Sequence, residues 1–191
     1  VIRFVTTDAS NNSQFVWDSA QKLKDLTSWN HIMFAIDTTH ASSTERVKVY
    51  LNGKLLATAS GSSYPAQNTS LGAVNTANNI HNIGRDFFQT GTGYHDFYAT
   101  ELYFIDAQTL TPASFGQFDA NNMWVPKQYT GTYGTTGWYL PTNRTPSIGN
   151  SSYAASFTSS RTQSVTYASN AAFAIGTGNF TVETFVNFAS W

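Results

Sequence analysis

Apolar side chains recur at every second position along most of this chain, and no i, i+3, i+4, i+7 apolar stripe persists over three turns. A period of two sends alternate side chains to opposite faces of an extended backbone, so the expected class is all-β with little helix. Residues 1–5, 14–18, 81–85, 98–106, 154–157, 163–167 and 180–188 all read as strands. In the last of these, Phe180, Val182, Thr184, Val186 and Phe188 share one face. Residues 31–37 are instead a nearly continuous apolar run, as expected of a central strand covered on both sides. The sharpest local signal is Asn52-Gly53 between the alternating segments 46–51 and 54–57. A type I′ hairpin turn needs positive φ at both central positions, and Asn followed by Gly tolerates it best. Farther on, Thr111 stands directly before Pro112, the order of a helix cap and a first helical residue, which predicts a single helical turn.

Residues 125–152 are dense in Pro, Gly, Thr, Asn and Tyr with little apolar periodicity, the composition of a connector. They divide the chain into a first unit, 1–124, and a second, 153–191. Both ends of the chain fall inside alternating runs, so it is expected to be an excerpt of a longer polypeptide.

Composition narrows the function classes. Only 11% of the 191 residues are charged and the net charge is −1, with no Lys/Arg-rich run. That balance argues against a nucleic-acid surface and against a polybasic membrane patch. No segment approaches the ~20 consecutive apolar residues of a membrane-spanning helix, so membrane insertion is not expected. The absence of cysteine removes a disulfide framework, a thiolate zinc site and a cysteine nucleophile. Ser, Thr, Asn and Gln fill the polar quota, while aromatics reach 15%, a mixture suited to the wet and dry faces of strands.

Trp29-Asn30-His31 leading into the 32–37 strand, then Val47-Lys48-Val49-Tyr50-Leu51-Asn52-Gly53-Lys54, resembles the core of laminin-G-like, concanavalin A-like domains. His81-Asn82-Ile83-Gly84-Arg85 is similar to their later I-G strand, and residues 94–102 to the F-D-G-Y-I-A-E-L strand before an L-T-P turn. Here Leu110-Thr111-Pro112 supplies the turn, and Phe97 stands where the family has Gly. Residues 124–134, opening Trp124-Val125-Pro126-Lys127, resemble a tail found in the variety of this family common in phage structural proteins. Residues 173–186 are similar to the family's opening strands, with Asn179 and Phe185 in place of the usual Asp and Trp. The resemblance implies an antiparallel β-sandwich jelly roll. Residues 1–124 would lack its opening strands, and 153–191 would be either the opening strands of a second tandem module or strands that complete the first sandwich. It implies a non-enzymatic virion or extracellular appendage protein, assembled with other virion proteins or with copies of itself as a homo-oligomer, and able to hold a host-surface glycan.

Sugar binding calls for aromatic faces beside amide or carboxylate groups, because a pyranose offers C–H patches and paired hydroxyls. Two loops have that makeup. One contains Asp86, Phe87, Phe88, Gln89 and Tyr94; the other runs from Tyr64 to Asn68. Phe87 and Phe88 could equally fill the edge of the core. Family members sometimes bind calcium at the sandwich rim, which would fall to Asp86 and Asp96. The competing role for these two is turn capping and positioning of the following strand. His31, His40, His81 and His95 have no metal-ligand spacing, and His31 is expected to be a strand residue bonded to its neighbours. Glycoside hydrolysis needs two facing carboxyl groups. Glu45, Glu101 and Glu183 are isolated from one another in sequence, and the E-x-D-x-x-E strand of hydrolase relatives is absent. Glu183 is expected on a strand face in a solvent or packing contact. A secreted, calcium-assisted adhesion domain and a polysaccharide-cleaving enzyme are the alternatives to the appendage reading.

Overall fold

The computed structural model describes residues 1–7, 13–25, 28–71, 74, 81–83, 97–140, 155–157, 165–167 and 178–188. These residues are all-β, with every strand pair antiparallel; two 3-10 turns, Ser43–Glu45 and Pro112–Ser114, are the helical elements among them. No helix among the described residues is long and apolar enough to cross a membrane.

The strands in chain order are β1 (Arg3–Thr7), β2 (Ser13–Asp18), β3 (Asn30–Ile36), β4 (Val47–Leu51), β5 (Lys54–Leu55), β6 (His81–Ile83), β7 (Phe97–Asp106), β8 (Gly116–Phe118), β9 (Trp124–Pro126), β10 (Trp138–Leu140), β11 (Ala155–Phe157), β12 (Val165–Tyr167) and β13 (Phe180–Phe188). The principal sheet has seven of them in the order β10-β7-β13-β3-β4-β5, with β11 also paired to β7. β1–β2, β6–β12 and β8–β9 are separate two-stranded pairs. The β4–β5 turn has φ of 49° at Asn52 and 79° at Gly53, with Leu51 paired to Lys54, the two-residue hairpin expected of that dipeptide. Pro112 opens a one-turn 3-10 helix after Thr111, as its position predicts.

The sheet is covered on both faces. On one, Phe15 and Trp17 of β2 pack with Ile36, Val47, Val49, Phe104 and Phe180, joined by Leu56 and Leu71 from the following loop. On the other, Met33, Ala35, Tyr103 and Ile105 lie under Phe115, Leu110, Tyr129 and Tyr133, and Tyr139 joins them from the neighbouring strand β10. The double cover explains why β3 is buried on both sides of its pleat.

One expectation is revised here and another is narrowed. Residues 125–140 are not a free connector. Trp138 and Tyr139 pair with β7 and stack on Phe104 and Tyr103, and the Asp106 N–H donates to the Tyr133 carbonyl. Before β10 the segment forms no regular strand, and Tyr129 and Tyr133 pack on the face that holds Tyr103, so these aromatics bury a face without a strand's period. Of the solvent and packing contacts open to Glu183, the structure shows packing: the face of β13 opposite Phe180 and Val182 is covered. Thr181, Glu183 and Phe185 are buried, because β13 runs between β3 and β7 in the middle of the sheet. The C-terminal strand thus joins the same sheet as residues 30–55 and 97–106.

Candidate ligand groove and the relay beneath it

The loop from Tyr64 to Asn68 is firmly held. The Arg46 guanidinium donates to the carbonyls of His40, Ala41 and Pro65 at 2.8, 2.8 and 2.9 Å, while the Asn68 N–H donates to the Thr38 carbonyl. Tyr64 packs against the core and its hydroxyl is bonded to Thr58 Oγ1, so its ring is not a free stacking surface. Asn68 is exposed, at φ 58°. Asp86, Phe87, Phe88, Gln89, Tyr94 and Asp96 lie outside the described residues. Among the described residues no group of three or more His, Cys, Asp or Glu gathers as metal ligands.

A different surface presents aromatic faces beside polar groups. The β8–β9 hairpin and the Pro112 turn line a shallow open groove of about 460 Å³, formed by Gly53, Thr111, Pro112, Ala113, Gly116, Gln117, Phe118, Trp124 and Lys127. Phe118 is half exposed and meets Trp124 edge-on, with ring centroids 5.0 Å apart and planes at 75°. The indole rests on two glycines. A Cβ at Gly53 would come within 2.6 Å of Trp124 Cζ3, and one at Gly116 would overlap the five-membered ring. Gly53 is thus required twice, for its positive φ in the hairpin turn and for the room it leaves above it.

The inner edge of Trp124 is anchored by a buried chain of hydrogen bonds. Its Nε1–H donates to His31 Nδ1 at 3.0 Å, and His31 Nε2 lies 2.8 Å from Glu183 Oε2, with both side chains fully enclosed. Glu183 sits opposite Met33 on the neighbouring strand, so it reaches His31 along the diagonal of one sheet face. The His31 backbone is fixed in turn by Asn52, whose Oδ1 accepts the His31 N–H and whose own N–H donates to the His31 carbonyl. Phe185 stacks on the imidazole at 4.5 Å.

Because Nδ1 accepts the indole proton, it carries none itself; the imidazole is the neutral Nε2–H tautomer and donates to Glu183. Burial acts in the same direction, pushing the His31 pKa down to about 4. Burial also raises the Glu183 carboxyl well above its ordinary value, reinforced by the charge of Glu101. His31 is therefore neutral, and its contact with Glu183 is a buried hydrogen bond rather than an ion pair. Glu183 Oε1 has no hydrogen-bond partner.

Glu101 occupies the irregularity in the β7–β13 register at φ 52° and accepts hydrogen bonds from the hydroxyls of Tyr103 and Tyr139. Burial first, and then that carboxylate, raise both tyrosine pKa values. Glu101 and Glu183, far apart in sequence, are thus brought to neighbouring strands. The fold encloses Glu183 completely, with one oxygen committed to His31. Glu45 is elsewhere, paired with Lys48 at the surface.

Sequence reasoning had identified the segment that carries Trp124 by its resemblance to a family tail, but not its role in a groove. The relay links strands 152 residues apart, from His31 to Glu183, and no local pattern could have disclosed it. Comparison of the chain with family models gave no match, and comparisons with curated proteins and with solved structures gave none either.

Proposed function

We propose that this chain is a lectin-like module of an extracellular or virion appendage, a jelly-roll sandwich that holds a saccharide in the Trp124–Phe118 groove without chemical turnover. The observation that carries the reading is the pair of crossed aromatic rings at the groove, set among the Gln117 amide, the Thr111 hydroxyl and the Lys127 ammonium. An aromatic face matches the C–H side of a pyranose, and the surrounding donors and acceptors match its hydroxyls. A shallow, open site suits a polymer or a surface glycan that lies across it. The enclosure of Glu183 supports the non-catalytic reading, since a carboxyl that substrate cannot reach cannot form one half of a hydrolytic pair. The virion setting rests on the resemblance of residues 124–134 to phage structural modules, and assembly with other virion proteins or with further copies of this chain follows from the same source.

The test is a glycan array run with the wild-type protein and with Trp124→Ala and Phe118→Ala. Binding of defined glycans that both substitutions reduce at least tenfold is the expected result. No glycan binding, or binding indifferent to both substitutions, would overturn the groove as its seat. Cryo-electron microscopy of the particle that carries the chain tests the appendage assignment, which falls if the chain has no place in a virion or on a cell surface.

A further inference from the structure

A stacking platform is useful only if its ring is already in place when ligand arrives, since ordering a large side chain on binding subtracts from affinity. Trp124 is half-buried at the groove, and the hydrogen bond of its indole runs inward, to a side chain that ligand cannot touch. We propose that His31 and Glu183 are positioning residues for the groove: Glu183 sets the tautomer of His31, and His31 sets the orientation of the Trp124 indole. This inference rests on the saccharide reading of the groove.

The logic is one of donors and acceptors. A neutral imidazole carries one proton, and only the Nε2–H form leaves a lone pair on Nδ1 for the indole N–H. Glu183 Oε2 at 2.8 Å accepts from Nε2–H when the carboxyl is ionised or carries its proton on Oε1, and so favours that form. Take the acceptor away and the Nδ1–H tautomer becomes competitive; it presents a proton to the indole proton, and the ring loses its anchor. Packing alone does not fix the ring in the same way. The glycines beneath it define a flat bed, while the hydrogen bond defines which edge points inward. Among the described residues, the charged and titratable groups around this chain of bonds are Glu183 itself and, beyond it, Glu101 with the hydroxyls of Tyr103 and Tyr139, Tyr50 on the neighbouring strand β4, and Lys127 at the groove. Trp124, Phe185 and Asn52, the other neighbours of His31, do not titrate.

The experiment compares the full chain with His31→Phe, Glu183→Leu and Glu183→Gln. The Gln variant keeps an oxygen that can accept from Nε2–H and is the conservative rescue. Two readouts are taken on each protein. Nuclear magnetic resonance gives the His31 tautomer from its ring nitrogen shifts and the solvent exchange of the Trp124 indole proton, assigned with Trp124→Phe. Affinity electrophoresis through gels containing dextran, xylan, laminarin or polygalacturonate gives retardation by neutral and anionic pyranose polymers. In the wild type we expect the Nε2–H tautomer, slow indole exchange and retardation by at least one polymer. In His31→Phe and Glu183→Leu, indole exchange rises at least a hundredfold and affinity falls at least tenfold while the chain stays folded; Glu183→Gln stays within threefold of wild type on both. Unchanged affinity in a folded His31→Phe overturns the positioning role and leaves the groove intact as a site. Loss of binding in Glu183→Gln as deep as in Glu183→Leu overturns the tautomer role of Glu183. If His31→Phe fails to fold, Glu183→Leu and Glu183→Gln decide. Wild-type protein retarded by none of the polymers overturns the saccharide reading, and this proposal with it, whatever the indole shows.

Discussion

The buried His31–Glu183 pair makes an unusual pH dependence of stability, and Glu183→Gln isolates its source. A histidine whose folded pKa is pushed down to about 4 holds fewer protons in the folded state than the unfolded chain does below its ordinary 6.5, so it lowers stability as pH falls through that window. A carboxyl whose folded pKa is raised above 4.5 holds more protons in the folded state, so it lowers stability as pH rises from 4.5. Between those two ordinary values the two groups oppose each other, the histidine adding stability as pH rises and the carboxyl removing it. Above 6.5 the unfolded histidine is already neutral and only the carboxyl remains. One uncompensated proton changes stability by about 1.4 kcal/mol per pH unit, so stability falls with rising pH until the folded carboxyl itself ionises. Against a typical total of 5–15 kcal/mol that is readily measured. Urea unfolding followed by tryptophan fluorescence at half-unit pH steps supplies the curve for wild type and for Glu183→Gln, which has no proton to hold. The alkaline decline should vanish in the variant. Parallel curves above pH 4.5 would refute a carboxyl whose proton is held by burial.

Three further substitutions test other parts of the structure. Gly116→Ala places a methyl group into the Trp124 ring and should cost about 2–4 kcal/mol through overpacking and the lost indole–imidazole bond, read by denaturant titration; a neutral effect would mean that the ring does not lie on this glycine. Arg46→Ala strands three carbonyls and should cost about 2–4 kcal/mol, with faster amide exchange at Asn68 in the hydrogen-exchange profile. Phe180→Ala opens the core where Phe180 stacks on Phe104 at 5.5 Å and should cost about 3–5 kcal/mol in the same denaturant assay.

Much of the backbone was legible from the sequence. Period-two alternation located β7 and β13 almost to their ends, and Asn52-Gly53 announced a hairpin because its backbone demand is local. What escaped was set by distance. Glu183 reads as a strand residue in a solvent or packing contact, and only the pairing of β13 between β3 and β7, with His31 brought beside it, shows that it is fully buried. Tyr129 and Tyr133, which pack over Met33, Ala35, Tyr103 and Ile105, read as connector residues because they obey no strand period. The groove was missed for a related reason: Gly53, Gly116 and Trp124 come from two separate hairpins, and each looks like an ordinary turn or strand residue by itself. Tyr64 shows the converse. Its composition suited a sugar platform, and tertiary packing turned it into a structural prop for Thr58.

The position of β13 has a consequence for biogenesis. The edges of β3 and β7 that face each other are closed only by β13, a strand made more than seventy residues after β7, so both stay unpaired while the intervening chain is synthesised. Such edges template pairing with other chains, and closure waits on a strand distant in sequence, which makes it slow. The exposure falls hardest on β3, whose apolar run makes its waiting edge a ready template for another copy of the chain.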